Sequence, residues 1–275
     1  MKSRIRKIPG IRSLHRLINQ PLYKRRFSTD CYGCFWEVFE TFEDAIAAAP
    51  KTKSVGYDNP DLAQEYVQMI ATENWEGSSR LIHTYDYPIL FWLNTLLNNE
   101  QVTPSIFDFG GNIGVHFYSY SKYIQFPDSL KWTVGDLPNI VEAGKDFLEQ
   151  SQNQTPLSFT SDFSQIDGHK ILLASGSLQY VKNFADLLKT LRQKPEHLLI
   201  NRLPLYDGDQ FVTLQNGGKV FYPQYVFNKA AFVESLQSLS YELVDSWEDR
   251  QTACMIPFHP EKSVPHYHGL YFRNR

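Results

Sequence analysis

The segment Asp108-Phe-Gly-Gly-Asn-Ile-Gly114 constrains this chain more than any other. The apolar run Ser105-Ile-Phe leads into it, and a stretch able to form a helix follows. An apolar strand, a glycine-rich turn and a helix are how an α/β protein builds a nucleotide-sized cradle. Glycine lets the backbone approach a ligand with no Cβ in the way, and a helix start is expected to offer unpaired N–H groups. A dinucleotide turn of the form G-x-G-x-x-G is not met, because Phe109 stands where its first glycine must make the tight turn. The frame acid-x-G-x-(G)-x-G fits instead, with Asp108, Gly110 and Gly114. Asn112 takes the middle glycine's place and is the non-glycine residue best suited to left-handed backbone. A carboxylate at the strand tip repels a pyrophosphate and favours a cationic group such as an amine.

The rhythm on either side of Pro104 differs. Before it the chain is predicted to be largely helical. Ile11, Leu14, Leu17 and Ile18 recur at helical spacing until Pro21 stops the pattern. Thr41 is expected to cap a helix over 41–49 with Asp44 three residues on. Asp61 to about Asn74 and Tyr87 to Leu97 are further helices. After Pro104, strands are predicted at 105–109, 131–134, 157–159, 170–174 and 197–201, with helices at 115–123, 138–150, 183–192 and 228–239. Strands at 241–247 and 268–272 end the chain. Such alternation implies parallel strands joined by right-handed helical crossovers. The organisation expected is a basic arm (1–30), a helical N-terminal extension (31–100) and a cofactor-binding domain (101–275).

Charge and cysteine content narrow the function classes. Residues 1–26 hold nine Lys or Arg and no acid; against a net charge of −3, this leaves the rest of the chain at −12. An acidic body argues against a nucleic-acid partner, while the arm suits peripheral contact with an anionic membrane surface. No apolar run approaches the roughly 20 residues needed to cross a bilayer. Three cysteines supply no disulfide framework, so a reducing, cytoplasmic setting is expected. Cys31 and Cys34 have C-x-x-C spacing but no second ligand pair nearby, and no metal is expected.

On these residues the chain resembles class I S-adenosylmethionine-dependent methyltransferases. Asp136 ends the second strand, 22 residues past Gly114, where that family places its ribose-binding acid. Gly135-Asp-Leu-Pro is similar to the Asp-Leu-Pro segment of its small-molecule O-methyltransferases. Ser161, Asp162 and Phe163 fall where the family contacts the adenine amine, and Ser175 and Gly176 where its fourth strand borders the methyl donor. The resemblance implies a Rossmann-like fold with a mostly parallel seven-stranded sheet closed by a reversed strand pair. It implies S-adenosylmethionine as cofactor, held by Asp108, Gly110, Gly111, Asn112, Gly114, Asp136, Leu137, Ser161, Asp162, Phe163, Ser175 and Gly176. More narrowly, Gly56-Tyr-Asp58, Thr213-Leu-Gln-Asn216 and Val244-Asp-Ser-Trp-Glu248 resemble an uncharacterised methyltransferase-like family met among bacterial surface-polysaccharide genes.

The activity so implied is methylation, most plausibly at oxygen, of a small-molecule or carbohydrate acceptor in polysaccharide biosynthesis. A hydroxyl acceptor needs a general base. Plant-type relatives carry a His in the loop that reads Ser177-Leu-Gln-Tyr180 here, and Gln179 and Tyr180 are poor bases near neutral pH. His116 is the substitute candidate. Gln179, Tyr180, Arg202 and Tyr222 are acceptor-binding candidates. Two other classes stay open: a non-catalytic methyltransferase-like scaffold at a membrane, and a nicotinamide-dependent oxidoreductase.

Overall fold

The computed structural model describes residues 9–72, 82–99, 102–151 and 155–275, with side chains from residue 16 onward. The start of the basic arm, the side chains of Ile11 and Leu14 and the helix end expected near Asn74 lie outside the described residues. The first helix, α1 (Pro9–Phe27), runs through Pro21 instead of stopping there. An internal proline costs about 3 kcal/mol in a helix, but contacts with the rest of the chain hold the last turns in place. Tyr23 Oη donates to Phe35 O at 2.8 Å. Tyr23 and Phe27 stack on Trp36 with ring centroids 5.9 and 6.0 Å away. Arg16 and Gln20 both reach Glu37. Cys31 and Cys34 form a disulfide that the cysteine count does not predict. Gly33, at φ +72, turns the chain tightly enough to bring the pair together.

The helical run expected as far as residue 100 is interrupted. β1 (Phe35–Phe39) precedes α2 (Phe42–Ala48), and β2 (Ser54–Val55) precedes α3 (Pro60–Ala71). Thr41 caps α2 as expected, its hydroxyl accepting from Asp44 N at 3.1 Å, a contact worth about 1 kcal/mol. A short 3-10 turn at 84–86 leads into α4 (Tyr87–Leu97). β1 is aromatic and β-branched, as strands prefer, yet its partner lies far downstream, where no local pattern reveals it.

Beyond Pro104 the expected alternation is realised. It runs β3 (Ser105–Phe109), α5 (Val115–Tyr120), β4 (Lys131–Gly135), α6 (Pro138–Ser151), β5 (Leu157–Thr160), β6 (Ile171–Ser175), α7 (Phe184–Lys189) and β7 (His197–Leu203). Three strands then intervene: β8 (Leu205–Tyr206), β9 (Phe211–Asn216) and β10 (Val220–Asn228). α8 (Lys229–Gln237), β11 (Tyr241–Asp249) and β12 (Tyr267–Asn274) complete the chain.

The main sheet has the order β11-β12-β7-β6-β3-β4-β5. Its five strands from β7 to β5 are parallel, and β12 runs antiparallel to both neighbours, so the sheet is mixed. Both faces are covered, as a parallel sheet requires. Phe107, Phe109, Leu172, Ala174, Leu198 and Ile200 pack towards α7 and α8. The alternate residues Ile106, Trp132, Val134, Ile171, Leu173 and Leu199 pack towards α4 and α5. The order reverses between β6 and β3, and ligands of open α/β sheets bind beyond the strand ends at such a point.

A second sheet, β1-β9-β10-β2 with β8 beside β10, forms when the β9–β10 hairpin reaches back to the N-terminal segment. Phe35 pairs with Gln215 and Trp36 with Leu214. Phe27, Trp36, Leu214 and Phe221 bury one another in its core.

Candidate functional site

The end of β3 sets the geometry of the site. Gly110 (φ +67), Asn112 (φ +58) and Gly114 (φ +91) all take left-handed backbone, Asn112 doing so as its type allows. Neither Gly110 nor Gly111 has room for a side chain. A Cβ at Gly110 would lie 2.4 Å from Ser177 Cβ, and one at Gly111 2.4 Å from the Asp108 carboxylate. Ser177 Oγ donates to Phe109 O at 2.6 Å and ties the β6 loop to the turn. The turn's N–H groups are spent internally, contrary to the open cradle expected: Gly110 on Gly135 O, Gly111 on Asp108 O, Gly114 on Gly111 O and Ile113 on Asn112 Oδ1. The fifth, Asn112 N, donates to Asp136 Oδ2 at 2.8 Å. A turn without free N–H groups is poorly made for pyrophosphate.

Asp108 does not reach the site directly. It is 0% exposed, accepting from Trp132 Nε1 at 3.2 Å and contacting His116 Nδ1 at 3.0 Å. The amine contact expected of it is therefore replaced by an Asp108–His116 pair. Burial disfavours a charged His116 ring, but the adjoining Asp108 carboxylate, with Asp86 beyond it, outweighs that and raises the pKa above its ordinary value. With Nδ1 engaged, Nε2 is the nitrogen left to serve the cavity that His116 lines.

Asp136 stands just past β4 with Oδ2 on Asn112 N and Oδ1 on Leu137 N, 2.8 and 2.7 Å away. Each oxygen holds one donor and keeps capacity for another. Burial pushes its carboxyl up to about 6, against the pull of the two backbone hydrogen bonds. A pair of ligand hydroxyls would favour the ionised form that burial opposes.

A cavity of about 1350 Å³ lies between the strand ends and the second sheet. It gathers Gly110, Gly111, Asn112, His116, Asp136, Leu137, Phe163, Ser175, Gly176, Gln179, Tyr180, Arg202 and Tyr222, all singled out in the sequence. Ser161, Asp162 and Gly114 are not among its lining residues. Asp162 is exposed and accepts from Ser164 N at 2.9 Å, capping the turn that carries Phe163. Gly114 starts α5, where a Cβ would meet Leu157.

The opposite wall comes from residues that the sequence reading did not assign to the cofactor or acceptor. Tyr57 and Tyr66 arrive from the N-terminal segment, His83 and Tyr85 from the turn before α4, and Gln215, Lys219 and Gln224 from the hairpin. Tyr57, Tyr180 and Tyr222 form one cluster, with Tyr57 and Tyr222 stacked at 4.3 Å and the Tyr57 and Tyr180 hydroxyls 3.1 Å apart. Burial raises the pKa of Tyr57 and Tyr180, keeping both neutral. Asn201 fixes the 83–86 turn, donating to Tyr85 O at 3.0 Å while accepting from Trp247 Nε1. The missed signal is Asn216-Gly217-Gly218 between two aromatic and β-branched runs, a strong local hairpin pattern.

Among the described residues no group of His, Cys, Asp or Glu is placed to hold a metal ion, and no helix is long and apolar enough to cross a membrane. No protein-family model and no curated protein matches the chain. Solved structures do. OxaC, in a complex with SAH and oxaline, is 12% identical with a TM-score of 0.50 over 80% of this chain; the match spans only 52% of OxaC. An S-adenosylmethionine dependent methyltransferase from Mesorhizobium loti is 13% identical over 70% of this chain and 100% of its own, with a TM-score of 0.47. The 1,6-didemethyltoxoflavin-N1-methyltransferase of Burkholderia thailandensis is 15% identical over 78% of this chain and 87% of its own, with a TM-score of 0.47. The likeness is one of fold: the α/β architecture with a seven-stranded mixed sheet that methyltransferases of this kind share.

Proposed function

We propose that the protein is an S-adenosylmethionine-dependent methyltransferase acting on a small-molecule or glycan acceptor, with transfer to oxygen. The observation that carries this reading is Asp136, held at the tip of β4 with two backbone donors and two unused acceptor positions, inside a cavity larger than one ligand needs. Ligand sites usually measure about 300–1,000 Å³, so about 1350 Å³ leaves room for a donor and an acceptor together. The complex of a similarly folded protein, OxaC, with SAH and oxaline supports it.

The residues present suit the cofactor. Asp136 would accept both ribose hydroxyls, each charged hydrogen bond contributing about 1.5–3 kcal/mol. Leu137, Ile140 and Phe163 offer apolar surface for a purine, and bare backbone at Gly110 and Gly111 admits close approach. When bound, S-adenosylmethionine supplies a methyl group already activated on a sulfonium, so the chain's task is to align the acceptor and exclude water. His116 Nε2 would take the proton of an acceptor hydroxyl, with Asp108 fixing the ring and stabilising its charged form. The Tyr57–Tyr180–Tyr222 cluster would flank the acceptor.

In this reading residues 1–30 are a basic arm, 31–100 an extension completed by the β9–β10 hairpin, and 101–275 the cofactor domain. The Cys31–Cys34 disulfide takes away the ground for a reducing compartment. Peripheral contact with an anionic membrane surface is supported by Leu17, Ile18 and Leu22, which are exposed on α1 beside Lys24, Arg25 and Arg26. Liposome sedimentation with and without residues 1–26 tests it, and equal sedimentation would remove it.

Isothermal titration with S-adenosylmethionine and S-adenosylhomocysteine tests the main proposal. Saturable one-to-one binding is expected. A folded sample giving no heat with either compound at high micromolar concentration would refute it.

A further inference from the structure

Arg202 stands in the cavity wall with no carboxylate at ion-pair distance. It lies in β7 with left-handed backbone (φ +54), an unusual state for a residue with a side chain. Holding a non-glycine residue there costs on the order of 1–3 kcal/mol and needs surroundings that enforce it. The guanidinium lies over the Tyr85 ring, Cζ 4.7 Å from its centroid. Among the described residues Arg202 makes no hydrogen bond or ion pair, and its Nε is buried without a partner. The other cationic groups of the cavity are matched: Lys219 pairs with Glu65 at 3.3 Å, and His116 with Asp108. Asp249 and Asp86 favour the charged guanidinium electrostatically, but neither forms an ion pair with it. Asp86 accepts from His83 N and Tyr120 Oη. Asp249 Oδ1 accepts from Gln251 N and Thr252 N, while its Oδ2 is buried without a hydrogen-bond partner and forms no ion pair with Arg202.

Two more buried polar atoms without partners belong to the same cavity: Gln179 Oε1 and His83 Nε2. Gln179 Nε2 donates to Gly176 O at 2.8 Å, so the amide is anchored and its oxygen is the atom left over. A Cβ at Gly176 would come to 3.5 Å from Arg202 Nη1, so the bare backbone there keeps the space beside the guanidinium open. An unpaired buried charge and an unfilled buried acceptor each cost free energy that a ligand can return.

Position separates this corner from the ribose carboxylate. Asp136 follows β4 and Arg202 lies in β7, with β3 and β6 between them. Three strand spacings of about 4.8 Å put the two some 14 Å apart. We infer that the acceptor carries a carboxylate, received by Arg202 at the β7 end of the cavity, together with a hydrogen-bond donor for Gln179 Oε1. The carboxylate site deepens the methyltransferase proposal and rests on it. The scaffold bearing the acid is either a flat ring against the tyrosines or a sugar acid, two sources of one chemistry.

Titrations on protein saturated with S-adenosylhomocysteine distinguish these. The probes are 4-hydroxybenzoate against its methyl ester, and glucuronate against glucose. At least one acid is expected to bind tenfold or more tightly than its neutral counterpart, and the pair showing the preference identifies the scaffold. The preference should vanish in Arg202→Met and partly return in Arg202→Lys. S-Adenosylhomocysteine affinity should change less than twofold in both, which also shows that they fold. Wild-type protein that binds S-adenosylhomocysteine but prefers neither acid overturns the carboxylate site alone, as does a preference that survives Arg202→Met. A large loss of S-adenosylhomocysteine affinity in Arg202→Met overturns it too, by assigning the arginine to the cofactor. Wild-type protein that binds no S-adenosylhomocysteine defeats the methyltransferase proposal, and the carboxylate site with it.

Discussion

The two walls of the cavity are built differently. The wall at the strand ends is mostly backbone: glycines without room for a Cβ, N–H groups paired within the turn, and carboxylates pinned by two or more donors. The facing wall is made of side chains: tyrosines packed on one another, glutamines, and polar atoms such as His83 Nε2 that the protein leaves unpaired. Arg202, on β7, belongs with that second chemistry although it sits on the main sheet. A backbone wall has one shape and suits one constant ligand. A side-chain wall can be altered residue by residue without disturbing the sheet, and suits the ligand that differs between enzymes.

Substitutions in the two walls should therefore behave differently. The largest effect is expected from Gly111→Ala, whose Cβ would fall 2.4 Å from a fully buried carboxylate held by Trp132 and His116. Overpacking of this kind costs about 1–3 kcal/mol, so thermal unfolding should drop by several degrees and S-adenosylhomocysteine binding should be lost. An unchanged melting temperature would mean the wall is softer than described.

Asp136→Ala is expected to weaken S-adenosylhomocysteine at least tenfold, about 1.4 kcal/mol. Asp136→Asn keeps an acceptor for the turn and separates that loss from a merely structural one. Its ionisation gives a pH signature. The folded carboxyl lies at about 6, above the ordinary 3.8, so stability present below pH 3.8 is lost as pH rises through about 6. Hydroxyl donors reverse that cost only for the ionised group. Wild-type affinity should be flat above pH 6 and fall towards tenfold per pH unit below it, measurable by titration calorimetry in matched buffers.

Asp108→Asn should lower the His116 pKa, because burial, the largest influence, is then opposed only by the weaker pull of Asp86. NMR titration of the ring reads this directly. In wild type the raised pKa means that the pair's stabilisation is complete below pH 6.5 and fades as pH rises through the folded value. The variant should accordingly lose more stability at pH 5.5 than at pH 9. The smallest effect is expected on the facing wall: Tyr222→Phe should change S-adenosylhomocysteine affinity less than threefold. A loss there matching that of Asp136→Ala would erase the distinction between the walls.

Legibility in the sequence follows the same division. β3 to β7 and the glycine turn were readable because parallel strands buried on both faces are continuous apolar runs, and because left-handed backbone demands Gly or Asn. Asp136 was singled out through the resemblance, which places an acid 22 residues past Gly114, and it does stand at the β4 tip in the cavity. The β9–β10 hairpin carried a local turn signal at Asn216-Gly217-Gly218, but its pairing with β1, more than 170 residues upstream, was not legible, because local periodicity carries no such pairing. Pro21 does not stop α1 because Phe35, Trp36 and Glu37 hold the helix from outside, contacts that local propensity does not carry. Asp108 was placed at the right strand end, but its burial beneath His116 is a matter of side-chain packing that no motif encodes. The orphaned Nε of Arg202 likewise depends on Asp86 and Asp249 stopping short of an ion pair with it, which no motif encodes.

The most direct measurement is a crystal structure with S-adenosylhomocysteine bound. Both ribose hydroxyls are expected within hydrogen-bonding distance of Asp136, the purine against Leu137 and Phe163, and the β7 end of the cavity still open. A nucleoside lying elsewhere, or an Asp136 carboxylate still bonded to Asn112 and Leu137 alone, would contradict the account.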